Sequence, residues 1–222
     1  MRKIGLLGGI GPEATGIFYL RLIDTMQKRE MIKSNADFPQ IVINSVPAAE
    51  LFFDESKEED LSLYTMGLKE LDANKVEFIA MACNTIHTYH SRLQKEVSVP
   101  ILDLRAEFGA YVAKNGIDSV LLLATPTTIR SDLFKVERVN YYLPDAAEME
   151  AISNTIFNFN LGKEKAAQGE VLEKIGQKYV AQGARLVVLG CTEIALMLAD
   201  SKLPKLDTMD LLIDAIISRL SG

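Results

Sequence analysis

Val76-Glu77-Phe78-Ile79-Ala80-Met81-Ala82-Cys83-Asn84-Thr85 and Ala184-Arg185-Leu186-Val187-Val188-Leu189-Gly190-Cys191-Thr192-Glu193 are two versions of one pattern. Each is an apolar, β-rich run that ends in a small residue, a cysteine and polar side chains. Continuous apolar runs of this length read as strands covered on both faces, which is the habit of parallel sheets with crossover helices. Upstream, Ile4-Gly5-Leu6-Leu7-Gly8 followed by glycines is mirrored by Val120-Leu121-Leu122-Leu123-Ala124 followed by threonines. Downstream, Val99-Pro100-Ile101-Leu102-Asp103-Leu104 is echoed by Leu203-Pro204-Lys205-Leu206-Asp207-Thr208. The blocks keep one order in both halves, so the chain reads as a duplicated α/β unit.

Between these blocks the pattern alternates strand and helix. Strands are expected at Lys3 to Leu7, Gln40 to Asn44, Glu77 to Ala82 and Ile101 to Asp103. Pro12 suits the first turn of a helix in which Phe18, Leu22, Ile23 and Met26 recur at helical spacing through Arg29. Ser56 with Glu59 resembles a capping box for a helix that presents Leu61, Tyr64, Leu68 and Leu71 and ends near Asn74. The acidic run Asp54 to Asp60 suits an exposed helix start. Another helix is expected after Cys83. The fold class is α/β: two similar α/β domains with parallel sheets, related by pseudo-twofold symmetry, with the active site in the cleft between them. The terminal apolar helix, Met209 to Leu220, is assigned to the first half, giving domains at 1–103 plus 208–222 and at 104–207.

Composition narrows the function classes. The 222 residues are 48% hydrophobic and 24% charged, enough apolar material for a substantial core. A net charge of −6 supplies no positive field for nucleic acid. No apolar run reaches the ~18 residues of a membrane span. Met1-Arg2-Lys3 and the apolar run to Ile10 superficially resemble a secretion signal, but glycines interrupt the run, Pro12-Glu13 closes it and no small-x-small site follows. The expectation is a mature N-terminal strand and a cytoplasmic protein, with Cys83 and Cys191 as thiols outside any disulfide.

Ligands of parallel α/β units sit beyond the carboxyl ends of strands, where helix N-termini present amides. Both cysteines fall there, and a thiol at such a place is expected to gain thiolate character from the amides. A buried cysteine is also an ordinary packing residue. Two of them in equivalent positions, each followed by polar Asn84-Thr85 or Thr192-Glu193, favour chemistry. Inverting a stereocentre is a reaction that needs two such groups: one removes the Cα proton from one face and the other returns a proton to the opposite face. Asn84, Thr85, Thr192 and backbone amides would grip an α-carboxylate.

Gly8-Gly9-Ile10-Gly11-Pro12-Glu13-Ala14-Thr15, Ala82-Cys83-Asn84-Thr85-Ile86-His87 and Gly190-Cys191-Thr192-Glu193 resemble the signature segments of the aspartate/glutamate racemase family over nearly the whole chain. Glu193, where glutamate racemases characteristically carry His, places the resemblance in the aspartate racemase branch. The resemblance implies a cofactor-independent, metal-free amino-acid racemase, commonly a homodimer, acting on a small amino acid. It implies Cys83 and Cys191 as the bases, and Gly9, Gly11, Asn84, Thr85, Thr192 and Glu193 as substrate contacts. Thr125, Thr127 and Thr128 match the family's hydroxyl-rich loop more loosely. Aspartate-handling members carry an Arg shortly after strand two and a Lys in a second-half helix. Here Asn44 to Phe53 holds no cation and the Lys position corresponds to Asn160, so an amino acid with a neutral or apolar side chain is expected. Arg130 or Lys163 would restore an acidic substrate if either turned inward.

Other patterns compete. Gly9-x-Gly11-x-x-Ala14 imitates a dinucleotide fingerprint, but Pro12 occupies the loop and Asn44-Ser45 stands where a ribose-binding acid belongs. Cys83-x3-His87-x2-His90 offers metal-ligand types but leaves Cys191 unexplained. His87 is expected to order the helix or the Cys83 environment and His90 to be a solvated surface residue. Two further functional readings stand beside the racemase: a one-cysteine decarboxylase or isomerase of the same fold, and a non-catalytic small-ligand-binding homologue.

Overall fold

The structure, a computed structural model, describes residues 2–47, 58–163 and 165–221. They form two compact units, one of residues 2–47, 58–103 and 212–221, the other of 104–211. The Ser56–Glu59 capping box and the acidic run 54–60 lie outside the described side chains.

The first unit is built on β1 (Lys3–Gly8), β2 (Gln40–Ser45) and β3 (Phe78–Met81), all parallel, in the order β2-β1-β3. The register sets Leu7 against Asn44 on one side and against Met81 on the other. After β1 comes α1 (Pro12–Lys28), which buries Ala14, Phe18, Leu22 and Met26 at helical spacing. Helix α2 (Glu58–Ala73) buries Leu61, Tyr64, Leu68 and Leu71 in one cluster with Leu7, Ile79 and Met81 of the sheet. Arg29, at the C-cap of α1, pairs with Asp214 of the C-terminal helix.

Two expected elements take other forms. The fourth strand is a single bridge between Ile79 and Ile101, made by the Ile79 amide to the Pro100 carbonyl and the Leu102 amide to the Ile79 carbonyl. Pro100 has no amide to extend the ladder. The helix after Cys83 is broken into a 3-10 turn at Thr85–Tyr89, a single α turn α3 (His90–Leu93) and a second 3-10 turn at Gln94–Glu96. Thr85, Ile86 and Thr88 are β-branched, which crowds an α-helix's first turns and suits a short tight one.

The second unit opens with α4 (Leu104–Asn115) and repeats the topology. Its strands β4 (Ser119–Ala124), β5 (Asn140–Tyr142), β6 (Leu186–Gly190) and β7 (Lys205–Asp207) are parallel, in the order β5-β4-β6-β7. Here the fourth position is a true strand, corresponding to the bridge at Ile101. Short α5 (Pro126–Arg130) follows β4. Helices α6 (Ala146–Asn160) and α7 (Lys165–Ala181) contribute Ile152, Ile156, Leu172 and Ile175 to the core under β4 and β6. Asp145 caps α6 reciprocally with Glu148, whose carboxylate also takes Lys178 and Tyr179 of α7. After β6 comes α8 (Thr192–Met197), and the Lys205 ammonium closes its end by donating to the carbonyls of Leu198, Ala199 and Ser201 at 2.5–2.8 Å. The chain ends in α9 (Thr208–Ser221), which belongs to the first unit from residue 212 onward. No helix among the described residues is long and apolar enough to cross a membrane.

Glycine matters most at Gly9, where φ is +91° and an added Cβ would lie 2.3 Å from the Val46 carbonyl oxygen. Gly9→Ala is expected to cost at least ~2 kcal/mol, from backbone strain plus overpacking. Gly16→Ala, inside α1 with nothing near the added methyl, is expected to gain ~0.5–1 kcal/mol. Urea unfolding of the two variants should move in opposite directions.

Candidate active site

In the first unit, the ends of β1, β2 and β3 set out the candidate groups. The Val46 amide donates to the Gly8 carbonyl at 3.0 Å and the Ala82 amide to the Leu7 carbonyl at 2.8 Å, so sheet pairing continues into both flanking loops. The glycine loop then turns with Gly9 at φ +91° and Gly11 at φ +84°, left-handed values that admit glycine at little cost. Thr15, in the first turns of α1, locks this loop. Its hydroxyl accepts from the Gly9 amide at 3.0 Å and donates to the Gly11 carbonyl at 3.1 Å. One strand away, Cys83, Asn84 and Thr85 are all buried at the start of the 3-10 turn, with the His87 amide donating to the Asn84 carbonyl.

His87 is fully buried and its Nε2 lies 3.4 Å from the Met81 carbonyl oxygen. His90 is not a solvated surface residue. Its side chain is 12% exposed, Nε2 lies 3.0 Å from the Ile101 carbonyl oxygen and Nδ1 lies 3.8 Å from Asp103. The two rings are near parallel with centroids 6.2 Å apart. Both imidazoles therefore serve the backbone that joins β3 to the Ile101 bridge.

In the second unit the register pairs Ala124 with Gly190, so Thr125 and Cys191 emerge side by side. Thr125 caps α5: its hydroxyl accepts from the Thr128 amide at 3.2 Å and bonds to the Thr128 hydroxyl at 3.0 Å. Thr127 Oγ1 is buried and has no hydrogen-bond partner among the described residues, an arrangement that costs stability unless something polar meets it. Cys191 Sγ donates to Glu193 Oε2 at 2.9 Å, and the Thr192 hydroxyl donates to the same oxygen at 3.0 Å. All three side chains are buried.

The expected gain in thiolate character is reversed at Cys191. Burial pushes its thiol well above the usual range, the Glu193 charge and hydrogen bond add to that, and the amides of Glu193 and Ile194 oppose it without prevailing. Among the described residues, the structure brings Gly9, Gly11, Asn84, Thr85 and Cys83 to one sheet end, and Thr125, Thr127, Thr128, Cys191, Thr192 and Glu193 to the other. Neither cysteine is in a disulfide. Arg130, Asn160 and Lys163 are exposed. Sequence reasoning missed two positioning hydroxyls, that of Thr15 and that of Thr208, which donates to the Leu189 carbonyl at 2.8 Å beside the Cys191 turn. Thr15 stood inside the glycine motif, whereas Thr208 gave no local signal.

Each parallel sheet thus delivers a buried thiol just past the strand that neighbours its central strand. The family model described as Asp/Glu/hydantoin racemase matches residues 7–216, and the chain belongs to that family. Its similarity to the broad specificity amino-acid racemase RacX of Bacillus subtilis (strain 168) is 31% identity over 137 residues, covering 60% of this chain and 58% of that protein. The chain thus spans less than two thirds of that relative's length. An aspartate racemase of Picrophilus torridus shares the fold at TM-score 0.83 and 23% identity, over 100% of this chain and 95% of that one. An aspartate racemase homologue from Pyrococcus horikoshii OT3 aligns over 100% of both chains at TM-score 0.77 and 26% identity. A glutamate racemase of Francisella tularensis aligns at TM-score 0.63 and 17% identity, over 99% of this chain and 81% of that one.

With Cys83 replaced by Ser, the remaining Cys191 is expected to resist iodoacetamide through neutral pH, because its protonated form is favoured. Its labelling should accelerate only as pH rises above the ordinary thiol range, and labelling in denaturant at pH 8 should be fast. Mass spectrometry of the alkylated peptide reads both.

Proposed function

We propose that the protein is a cofactor-independent amino-acid racemase or epimerase in which Cys83 and Cys191 work as acid and base on opposite faces of the substrate Cα. The observation that carries this reading is the equivalence of the two thiols. Each is buried and follows the strand paired with the central strand of its sheet, β3 beside β1 and β6 beside β4. In one direction a thiolate removes the α-proton while the opposite thiol delivers one; in the reverse direction the roles exchange. A thiolate is a weak base for so weak a carbon acid. The reaction therefore depends on donors already in place for the charge that develops, and on exclusion of water.

In this reading Asn84, Thr85, Thr125, Thr127, Thr128 and Thr192, with the amides of the Gly9 and Gly11 loop, bind the groups common to all α-amino acids. Thr127 supports it as a buried hydroxyl awaiting a polar partner. The preferred substrate has a neutral or apolar side chain. The stretch Asn44 to Phe53 holds no cation, and Arg130 and Lys163 are exposed. The broad specificity of the Bacillus subtilis relative agrees with such a preference.

Each L- and D-amino acid incubated with the protein in deuterated water is expected to invert and to gain α-deuterium, fastest among neutral side chains. Cys83→Ala and Cys191→Ala should each lower the rate by ~10²–10⁴-fold. NMR and chiral chromatography read the two outcomes. Exchange without inversion would assign a one-thiol isomerase, and binding without exchange across the panel would assign a ligand-binding homologue.

A further inference from the structure

Glu193 has chemistry beyond a substrate contact. Its carboxylate is buried and one oxygen, Oε2, accepts from both Cys191 Sγ and Thr192 Oγ1. We infer that Glu193 is a positioning residue that takes the Cys191 proton, so that a thiol–carboxylate pair interconverts with a thiolate–carboxylic acid pair across the 2.9 Å hydrogen bond. The S–H bond breaks with its electron pair left on sulfur, and an O–H bond forms on Oε2. The pair carries one negative charge in both forms, and no proton passes to solvent.

The surroundings favour this internal transfer over release to water. Losing the thiol proton to solvent would leave two negative charges at 2.9 Å in a buried place, which Coulomb repulsion and desolvation both oppose. Transfer keeps the total charge constant, and the amides of Glu193 and Ile194 then face the thiolate as donors. The Thr192 hydroxyl holds Oε2 in reach. Among the described residues, the elements packed against α8 bring other ionisable groups that are engaged or placed elsewhere; Glu150 of α6, for one, is exposed. Strand β6 has none. On α7, Tyr179 is bonded to Glu148 of α6, while Glu170, Glu173 and Lys174 line a groove with Met197 and Leu198 at the far end of α8. Asp207 at the end of β7 accepts from the Met209 amide. Among the described residues, Glu193 is the charge that acts on the sulfur.

A pair sharing one proton titrates in two steps that belong to both groups. The form able to accept a substrate proton is the monoanion, so the acid limb of activity follows the first step, and loss of the second proton lies well above it. Replacing Glu193 by Gln keeps an acceptor oxygen but removes proton storage. The acid limb of activity should then rise to the pH of the lone thiol, while the thiol's own titration should fall.

The thiol measurement stands apart from the racemase reading on which the turnover consequence rests. In a Cys83→Ser background, thiolate absorbance near 240 nm and iodoacetamide rates are followed against pH with and without Glu193→Gln. The titration is expected to move down by about one pH unit or more, so that alkylation at pH 8 speeds by ~10-fold. In the two-cysteine protein, Glu193→Gln should raise the acid limb of kcat/KM and recover activity at alkaline pH, while Glu193→Asp retains part of the neutral-pH rate. An unmoved thiol titration in folded Glu193→Gln, with folding checked by circular dichroism, overturns the inference, as does an even loss of activity at every pH in either variant. If no amino acid exchanges its α-proton, the racemase reading fails and the thiol titration still decides the role of Glu193.

Discussion

Strand register is the constraint from which each candidate site follows. Leu7 pairs with Met81 and Ala124 with Gly190, so a loop from a central strand and a thiol from its neighbour emerge together at each sheet end. Side chains alternate along a strand, and a slip of one residue would exchange the groups packed on its two covered faces. Phe78–Met81 and Leu186–Gly190 are buried at every position, and each large apolar side chain taken from water contributes about 1.5–3 kcal/mol. The core therefore fixes the register, and the register fixes where Cys83 and Cys191 leave their strands. Hydrogen bonds past the strand ends, Ala82 to Leu7 and Val46 to Gly8, carry this order into the loops.

Burial then decides the chemistry of the second thiol. A cysteine at a helix start meets backbone amides that favour the thiolate, yet at Cys191 desolvation and the Glu193 carboxylate outweigh them. The helix responsible, Thr192–Met197, spans fewer than two turns, so few peptide dipoles align behind the sulfur. The same carboxylate that suppresses the free thiolate is the nearest acceptor for its proton. A buried acidic neighbour thus favours the protonated sulfur and stands within hydrogen-bond distance of its proton.

The sequence shows the duplication because repeated apolar runs, glycines and prolines are local signals whose meaning does not depend on distant contacts. Phe18, Leu22 and Met26 on α1, and Leu61, Leu68 and Leu71 on α2, all lie on the buried faces that their spacing implies. Both thiols also fall at strand ends as their neighbours suggest. What was illegible depends on partners far along the chain. His90 reads as a surface residue until the Ile101 carbonyl and Asp103 are folded against it. Pro100 offers a strand signal, but in the first unit only Ile101 pairs. Thr208 is one threonine among many until its hydroxyl meets the Leu189 carbonyl, and the raised titration of Cys191 is visible only once its surroundings are closed.

The proposed preference for neutral side chains carries a physical consequence for selectivity. A site that binds a side-chain carboxylate must place a cation against it, since the charge is otherwise stripped of water without repayment. Such a site discriminates steeply, because a neutral substrate leaves the cation unpaired. An apolar pocket discriminates weakly, by ~1–3 kcal/mol for each methylene gained or lost. In the proposed reading, with no cation from Asn44 to Phe53 and with Arg130 and Lys163 exposed, orientation falls to the α-amino and α-carboxylate groups that every substrate shares. In that reading the hydroxyls of Thr125, Thr127 and Thr128 serve those groups and are indifferent to what the side chain carries. In the proposed reading, breadth of substrate choice follows from putting binding energy on the common part of the molecule, next to the carbon where the proton moves.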